Sequence, residues 1–510
     1  MGVGATEFLP VLAKVDDAVA RALASGYQVD VDAFELLLSL ENRVNVVDMI
    51  DKVVQLKKSG ETDGVDVISR SDIDALLSPE ESIEDPRNLE DSIDMAKEGS
   101  EADLEIIGNL TEKLFPVEGA DGFRLLFRSR LRKMLNIARQ RPDSRNIRTI
   151  SEVLDAQNRD VVKVAGLVMD KRIKQDRWEL AIDDLSGLLR VRGTDNSIKA
   201  EVADVMLDQF VIMDVARVRG ETAALKRIYH PDLPDRIPTT SKKNVYAVFL
   251  SDLHVGSKLF LLDAFERFTA WISGLSEDHG VVDRVRYVVI GGDAVDGAGI
   301  YPGQENDLQE PDIRKQYSNL AQLIEKIPKH IRIVIIPGNH DPVRQALPQP
   351  AIPRKYAEEL YCMENVSMLS SPALLRLHGV KLLTFHGRSL DDVVAKIPGL
   401  SYSSPAAAMK LLLRARHLAP HYGGRVAMAP AEEDHLVIDE VPDIFHAGHV
   451  HTLDRTNYRG TLILNSGTWQ GQTKFQANMG IVPTPGKVPI VNLATLDMLV
   501  KDFTKSSGDS

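Results

Sequence analysis

The stretch VYAVFLSDLH, Val245–His254, sets a near-continuous apolar run against an aspartate and a histidine, Asp252 and His254, at its end. Four later runs finish the same way: VIGGD at Asp293, IIPGNHD at Asn339 to Asp341, TFHG at His386, and HAGHVH at His449 and His451. Each run reads as a buried strand, and each polar group sits where the strand stops. Helical segments near Phe265–Leu275 and Ile313–Ile327 lie between the first three. Apolar strands alternating with helices predict an α/β domain whose sheet is covered on both faces. Strand ends gathered along one edge are where open α/β sheets build their sites.

The residue types narrow the chemistry. Side chains alternate along a strand, so Asp252 and His254 are expected to face one ion while Leu253 packs; His449 and His451 repeat that spacing. Taken singly, such triplets are as readily hydrogen-bonded surface or core residues. The glycines before Asp293 allow a tight turn, and a carboxylate there would bridge two ions about 3.5–4 Å apart. GNHD is the more specific string: Asn339 offers an amide oxygen, His340 an acid near neutral pH, and Asp341 a carboxylate to fix the His340 tautomer. Carboxylate, amide and imidazole without thiolate argue against a structural cysteine site. The set suits Mn²⁺, Fe²⁺ or Zn²⁺ in an open two-metal centre, as in a phosphoesterase.

Outward from these strings, 510 residues are too many for one core, and roughly three domains is the natural expectation. Residues 1–76 read as a helical module, because FELLLSLENRVNVVDMIDKVV spaces its apolar residues helically and SRSDIDALL resembles a capped short helix. Residues 77–118 read as an acidic flexible linker. Residues 119–157 hold a basic amphipathic helix, FRLLFRSRLRKMLNIARQR, and a connector. That helix either packs on the next domain or contacts phosphates. Residues 158–240 carry short β-like runs broken by Gly, Asp and Asn, which suggests an OB-fold. Trp178, Phe210 and Tyr229 are its obvious stacking aromatics, and a barrel used for protein contacts is the alternative. Residues 241–500 form the α/β domain, and 501–510 read as a disordered tail.

Formal net charge is −13, awkward for unaided nucleic-acid binding, which needs clustered Lys and Arg. Either local basic patches and metal ions offset the charge, or a partner chain supplies the grip. The lone cysteine, Cys362, excludes an internal disulfide framework and fits a reducing compartment. No apolar run is long enough to span a bilayer, so no membrane association and a cytoplasmic, nucleoid-associated location are expected.

The order DxH, GGD, GNHD, H, GHxH resembles the calcineurin-like metallophosphoesterase superfamily. The strings GNHDPVRQALPQP (Gly338–Pro350), FHGRSLDDVVAKIPGL (Phe385–Leu400), FHAGHVH (Phe445–His451), LNSGTWQGQTKFQ (Leu464–Gln476) and IVPTPGKVPIVNL (Ile481–Leu493) resemble the small subunit of archaeal family D DNA polymerase over roughly residues 155–495. The resemblance implies a two-sheet β sandwich flanked by helices, preceded by an OB-fold. It implies a 3′–5′ proofreading exonuclease beside a large polymerase subunit, in a heterodimer or heterotetramer, acting on single-stranded DNA or a primer 3′ end. A sliding clamp or primase is a further expected partner. By motif, Asp252, His254 and His451 would hold one ion; Asn339, His386 and His449 the other; Asp293 would bridge; and His340 would be catalytic, backed by Asp341. Two divalent ions are expected, Mn²⁺ first, with Fe²⁺, Zn²⁺ or Mg²⁺ as alternatives. Arg344 and Arg388 follow two of the motifs and either contact phosphate or form loop salt bridges. A silent scaffold subunit and a free-standing phosphodiesterase are the competing readings.

Overall fold

The computed structural model describes residues 9–30, 33–34, 37, 46–59, 67–69 and 72–73, then 101–505 except 115–116, 118, 157–159, 176 and 276–278. The chain divides into two compact units, Met1–Lys97 and Glu98–Ser510.

In the first unit, α1 (Leu9–Ala24) packs against α2 (Val46–Ser59) through Val15, Ala18, Ala22, Val46, Ile50 and Val53. Spacings of three and four residues place these side chains on one face of each helix. Short parallel strands β1 (Gln28–Val29) and β2 (Val67–Ile68) complete the described part. Most of SRSDIDALL, and residues 77–100 of the expected linker, lie outside the described residues.

The second unit begins with a departure from expectation. β3 (Leu104–Asn109) is a strand, not linker, and pairs antiparallel with residues 373–377. An edge strand needs one hydrogen-bonded neighbour and one apolar side. Leu104 packs into the core behind it, while Glu105 faces out and pairs with Arg376 at 2.7 Å. The acidic composition around it hid the strand.

Helix α3 (Gly119–Arg139) settles the choice left open for the basic segment at its central arginine. Leu131, Met134 and Ala138 pack on Leu167, Phe210 and Ile212. Arg130 is 1% exposed; its Nε donates to Asp434 Oδ2 at 2.7 Å and its Nη1 to the Pro420 carbonyl at 2.6 Å. A guanidinium so placed is a packing element and is out of reach of phosphates.

After β4 (Ile147–Arg148) and α4 (Ile150–Ala156) comes a barrel: β5 (Val162–Ile173), β6 (Trp178–Asp183), β7 (Leu188–Gly193), α5 (Asn196–Ala203), β8 (Phe210–Arg219) and β9 (Thr222–Tyr229). The order β5-β6-β7-β9-β8 closes through β5–β8 pairing. Trp178 and Phe210 are core residues, and the Tyr229 hydroxyl donates to Asp214 Oδ2 at 2.7 Å. The three aromatics considered for base stacking are therefore committed within the protein.

The remaining strands build a two-sheet sandwich. One sheet orders β13 (Val366–Met368), β12 (Arg332–Ile336), β11 (Val285–Gly291), β10 (Tyr246–Leu250), β19 (Lys487–Asn492) and β20 (Met498–Asp502). The other orders β17 (Asp454–Tyr458), β18 (Thr461–Asn465), β16 (Ile444–Ala447), β15 (Val380–Thr384), β14 (Ala373–Leu377) and β3. Strand alternation sorts the apolar side chains. Ala247, Phe249, Tyr287 and Val289 meet Leu375, Leu382, Ile444 and Leu464 between the sheets. Val248, Leu250, Val288 and Ile290 face outward onto α6 (Leu262–Ile272) and α7 (Ile313–Glu325). Phe445 and Ile463 face α8 (Leu390–Lys396) and α9 (Pro405–Ala415). β10, β11 and β12 run parallel, as do β15 and β16, so five strand ends meet at one rim.

The tail expectation is corrected over 501–505. β20 reaches Asp502, and the Phe503 ring, 4% exposed, lies 5.5 Å from Phe268 and 5.6 Å from Trp271. One aromatic in an otherwise polar tail is enough to anchor it. Residues 506–510 lie outside the described residues.

Candidate metal centre

The five predicted strand ends converge. β10 stops at Leu250 and leads to Asp252 and His254; β11 leads to Asp293; β12 to Asn339 and His340; β15 to His386; β16 to His449 and His451. The local geometry differs from the simple alternation expected of a strand. Asp252, His254, Asp293, His449 and His451 all have positive φ, between 48° and 70°. Left-handed backbone at a non-glycine residue costs of order 1–3 kcal/mol and persists where surroundings impose it, commonly at functional sites. Leu253, fully buried, packs below as anticipated.

Glycines make room. A Cβ at Gly338 would come 2.1 Å from Asp293 Oδ1, and one at Gly292, whose φ is +95°, would come 2.5 Å from His386 Nδ1. GGD and GNHD thus need their glycines for close approach.

Among the described residues, three groups of ligand atoms have metal-binding spacing: Asp252, His254 and His451; His254, Asp293 and His340; and Asp293, His386 and His449. Asp293 Oδ2 lies 3.3 Å from His386 Nε2 and 4.0 Å from His254 Nε2, so it faces both halves. His451 Nε2 lies 3.4 Å from Asp252 Oδ1 and 3.1 Å from His254 Nε2. Asn339 Oδ1 lies 3.1 Å from His386 Nε2.

Two observations bear on whether these residues fit metal ions. Asp252 Oδ1 is buried and has no hydrogen-bond partner, a costly state for a carboxylate oxygen unless an ion takes it. The second is tautomeric. His254 Nδ1 is 2.9 Å from Asp296 Oδ1, and His386 Nδ1 is 2.9 Å from the Gly291 carbonyl. Both partners only accept, so Nδ1 carries a proton and Nε2 points inward as the nitrogen that ligates once it holds no proton. For His449, Nε2 meets Asp391 Oδ2 at 3.1 Å, which leaves Nδ1 free. His451 differs: Gln476 Nε2 donates to its Nδ1 at 2.8 Å while Gln476 Oε1 accepts from Thr473 N at 3.0 Å. Ligation through His451 Nε2 requires the Gln476 amide turned over.

Charges follow from the crowding. Burial alone would raise Asp252, but His451 and His386 bring its carboxyl down to about 2. Burial opposes ionisation of Asp293 too, and His386 and His340 hold it well below the usual carboxylate range. Burial would lower His386, yet Asp293 and Asp252 raise it to about 9. Burial dominates at His254 and lowers it.

His340 lines the cavity above these groups. Its partner is not the expected one. Asp341 turns away: Oδ2 accepts from Gly338 N at 2.7 Å and Oδ1 from the Tyr317 hydroxyl at 2.6 Å. Burial and then Asp293 push the Asp341 carboxyl up to about 6. Asp296 takes the assigned role. Its carbonyl accepts from His340 Nδ1 at 2.8 Å and its carboxylate supports His254. Asp296, Asp391 and Gln476 were missed by sequence reasoning. Asp296 had a faint signal, a second aspartate in the loop after GGD, and Gln476 stands in the quoted string LNSGTWQGQTKFQ. Arg344 donates through Nε and Nη2 to the Pro348 carbonyl at 2.9 and 2.6 Å, which makes it a loop brace. Arg388 lines the cavity, whose volume is about 880 Å³.

Fold and site together define an α/β protein with a buried aspartate–histidine centre whose groups could hold metal ions. A family model for the B subunit of DNA polymerase alpha/epsilon matches residues 247–454. The DNA polymerase II small subunit of Archaeoglobus fulgidus is 37% identical over 491 residues, 94% of this chain and 97% of that protein. That of Pyrococcus furiosus is 42% identical over 391 residues, 75% of this chain and 64% of that protein. The chain thus spans somewhat under two thirds of the length of the Pyrococcus relatives, 64% and 63% for two of them. The chain belongs to the family of archaeal DNA polymerase II small subunits, the small subunits of family D polymerase. Among solved structures, one titled as a novel archaeal phosphodiesterase is similar at TM-score 0.25 and 12% identity, covering 50% of this chain and 99% of that one; the likeness is too slight to bear on function. No helix among the described residues is long and apolar enough to cross a membrane.

Proposed function

We propose that the chain is the 3′–5′ exonuclease subunit of a family D DNA polymerase, hydrolysing DNA phosphodiesters at a two-cation centre. The reading takes the sandwich as a metallophosphoesterase domain and the barrel as an OB-fold. The observation that carries it is Asp293, shared between two ligand groups with His340 beside them. Asp252, His254 and His451 would hold one cation, Asn339, His386 and His449 the other, and Asp293 both. Divalent cations bound there, Mn²⁺ first among the candidates, supply Lewis acidity towards a phosphodiester and towards water.

The chain's own part is positional and protonic. The Asp296 carbonyl keeps the proton of His340 on Nδ1, so Nε2 is the nitrogen that gains or loses one. As imidazolium, His340 gives that proton to the departing 3′ oxygen. The Asp293 carboxylate fixes the His340 backbone, accepting from its N–H at 2.7 Å. Arg388, which lines the cavity, would meet a phosphate, and a large catalytic subunit would supply most of the DNA affinity that a chain of net charge −13 lacks. His340→Ala is expected to retain Mn²⁺ binding by calorimetry and lose cleavage of a labelled single strand. Full cleavage by that variant would remove His340 from the mechanism.

A further inference from the structure

The cavity over the centre is larger than a phosphate needs, at about 880 Å³, and within the range of sites that enclose whole small ligands. Its floor is the ligand set. Its wall is helix α10 (Lys474–Asn478), capped by Thr473, whose hydroxyl oxygen accepts from Gln476 N at 3.2 Å whichever way the Gln476 amide is turned. The same Gln476 holds the His451 ring. This short helix is therefore tied to the centre, yet it sends Phe475 into solvent, 69% exposed, with Met479 at 52%. Tyr301, 40% exposed, also lines the cavity, as do Lys474, Arg388 and Arg425. An exposed aromatic on an anchored support, continuous with the phosphodiester site and accompanied by cations, matches how proteins grip single strands: aromatics stack on bases and Lys or Arg meet the backbone.

We propose that Phe475 is a base-stacking residue. It receives the unpaired terminal base of a single-stranded nucleic acid whose last phosphodiester lies at the centre. The inference rests on the phosphodiesterase reading above and adds what selects its substrate: an unstacked base, which a paired end does not offer.

The test uses the full chain, wild type and Phe475→Ala, on a single-stranded oligonucleotide and on bis(4-nitrophenyl) phosphate, which has no base. The ratio of kcat/KM for oligonucleotide over small diester is expected to fall about tenfold in the variant, as loss of one aromatic stack implies. An oligonucleotide with an abasic 3′ residue should show no such fall. An unchanged ratio would overturn the proposal. So would an equal loss on both substrates, which would make α10 only a support for His451. A binding arm is independent of turnover: in the His340→Ala background, an oligonucleotide ending in 2-aminopurine should lose fluorescence on binding, and Phe475→Ala should abolish that quenching. Quenching retained in the variant overturns the proposal. If wild type cleaves neither diester, the phosphodiesterase reading fails, and the fluorescence result still decides the stacking.

Discussion

Asp296→Asn isolates one contact behind the centre. The substitution keeps the shape, because Gln470 Nε2, 3.2 Å from Asp296 Oδ1, holds the amide oxygen where the carboxylate oxygen was. The charge facing His254 Nδ1 across 2.9 Å disappears. The Asp296 carbonyl that fixes His340 is backbone and stays. Carboxylates behind ligating histidines typically contribute 10–100-fold in metal affinity or activity, or about 1.4–2.7 kcal/mol. Here the residue is 1% exposed. Burial opposes its ionisation, yet the His254 hydrogen bond and the nearby charges of His254 and His340 hold its carboxyl below the usual range. That places the expected loss towards the upper part, ~30-fold in Mn²⁺ affinity by titration calorimetry. Activity should fall at limiting Mn²⁺ and recover at saturation. Unchanged affinity would refute the reasoning, as would a fall in kcat that excess Mn²⁺ does not restore.

Arg130→Met leaves the Asp434 carboxylate buried with His417 and the Leu436 N–H, and without its guanidinium, and loss of one partner of a buried pair costs about 3–5 kcal/mol; a stability change under about 1 kcal/mol would show that the contact adds little. The proton on His386 must leave before a cation binds, so with its value raised to about 9, Mn²⁺ affinity should rise with pH from 7 and flatten near 9, releasing about one proton per site near pH 7. The same shift acts on stability with the opposite sense. In metal-free protein the raised His386 contributes stability that is full below its unfolded value of about 6.5 and is lost as pH climbs through about 9. Flat profiles of affinity and stability between pH 6 and 9 would count against the Asp293–His386 contact.

The strand ends were readable because two patterns coincide there: apolar runs of strand length, and consecutive ligand types just after them. Hydrophobic periodicity located β10, β11 and β12, and chemistry located the residues beyond. What sequence could not show is where neighbours on a tight turn point. His340 and Asp341 are adjacent, yet the Asp341 carboxylate turns back to Gly338 and Tyr317 while His340 faces the cavity. The residue that supports His340 comes from 44 positions away, Asp296, brought in by the pairing of β11 with β12. Edge elements were lost for a different reason. β3 and the segment through Phe503 are short and lie among polar residues, and their apolar side chains count only because a neighbouring strand or aromatic cluster is present. Arg130 illustrates the converse, a charge in a basic helix that reads as surface and is core.

The central claim is that this centre cuts DNA from the 3′ end. The most direct measurement digests one single strand labelled at its 3′ end and, separately, at its 5′ end, with Mn²⁺, comparing wild type with Asp293→Ala. The account predicts that wild type releases the 3′ label as a mononucleotide at once and shortens the 5′-labelled strand stepwise, and that Asp293→Ala does neither. Release of the 5′ label first, or no cleavage by wild type alone and with the large subunit, would contradict it.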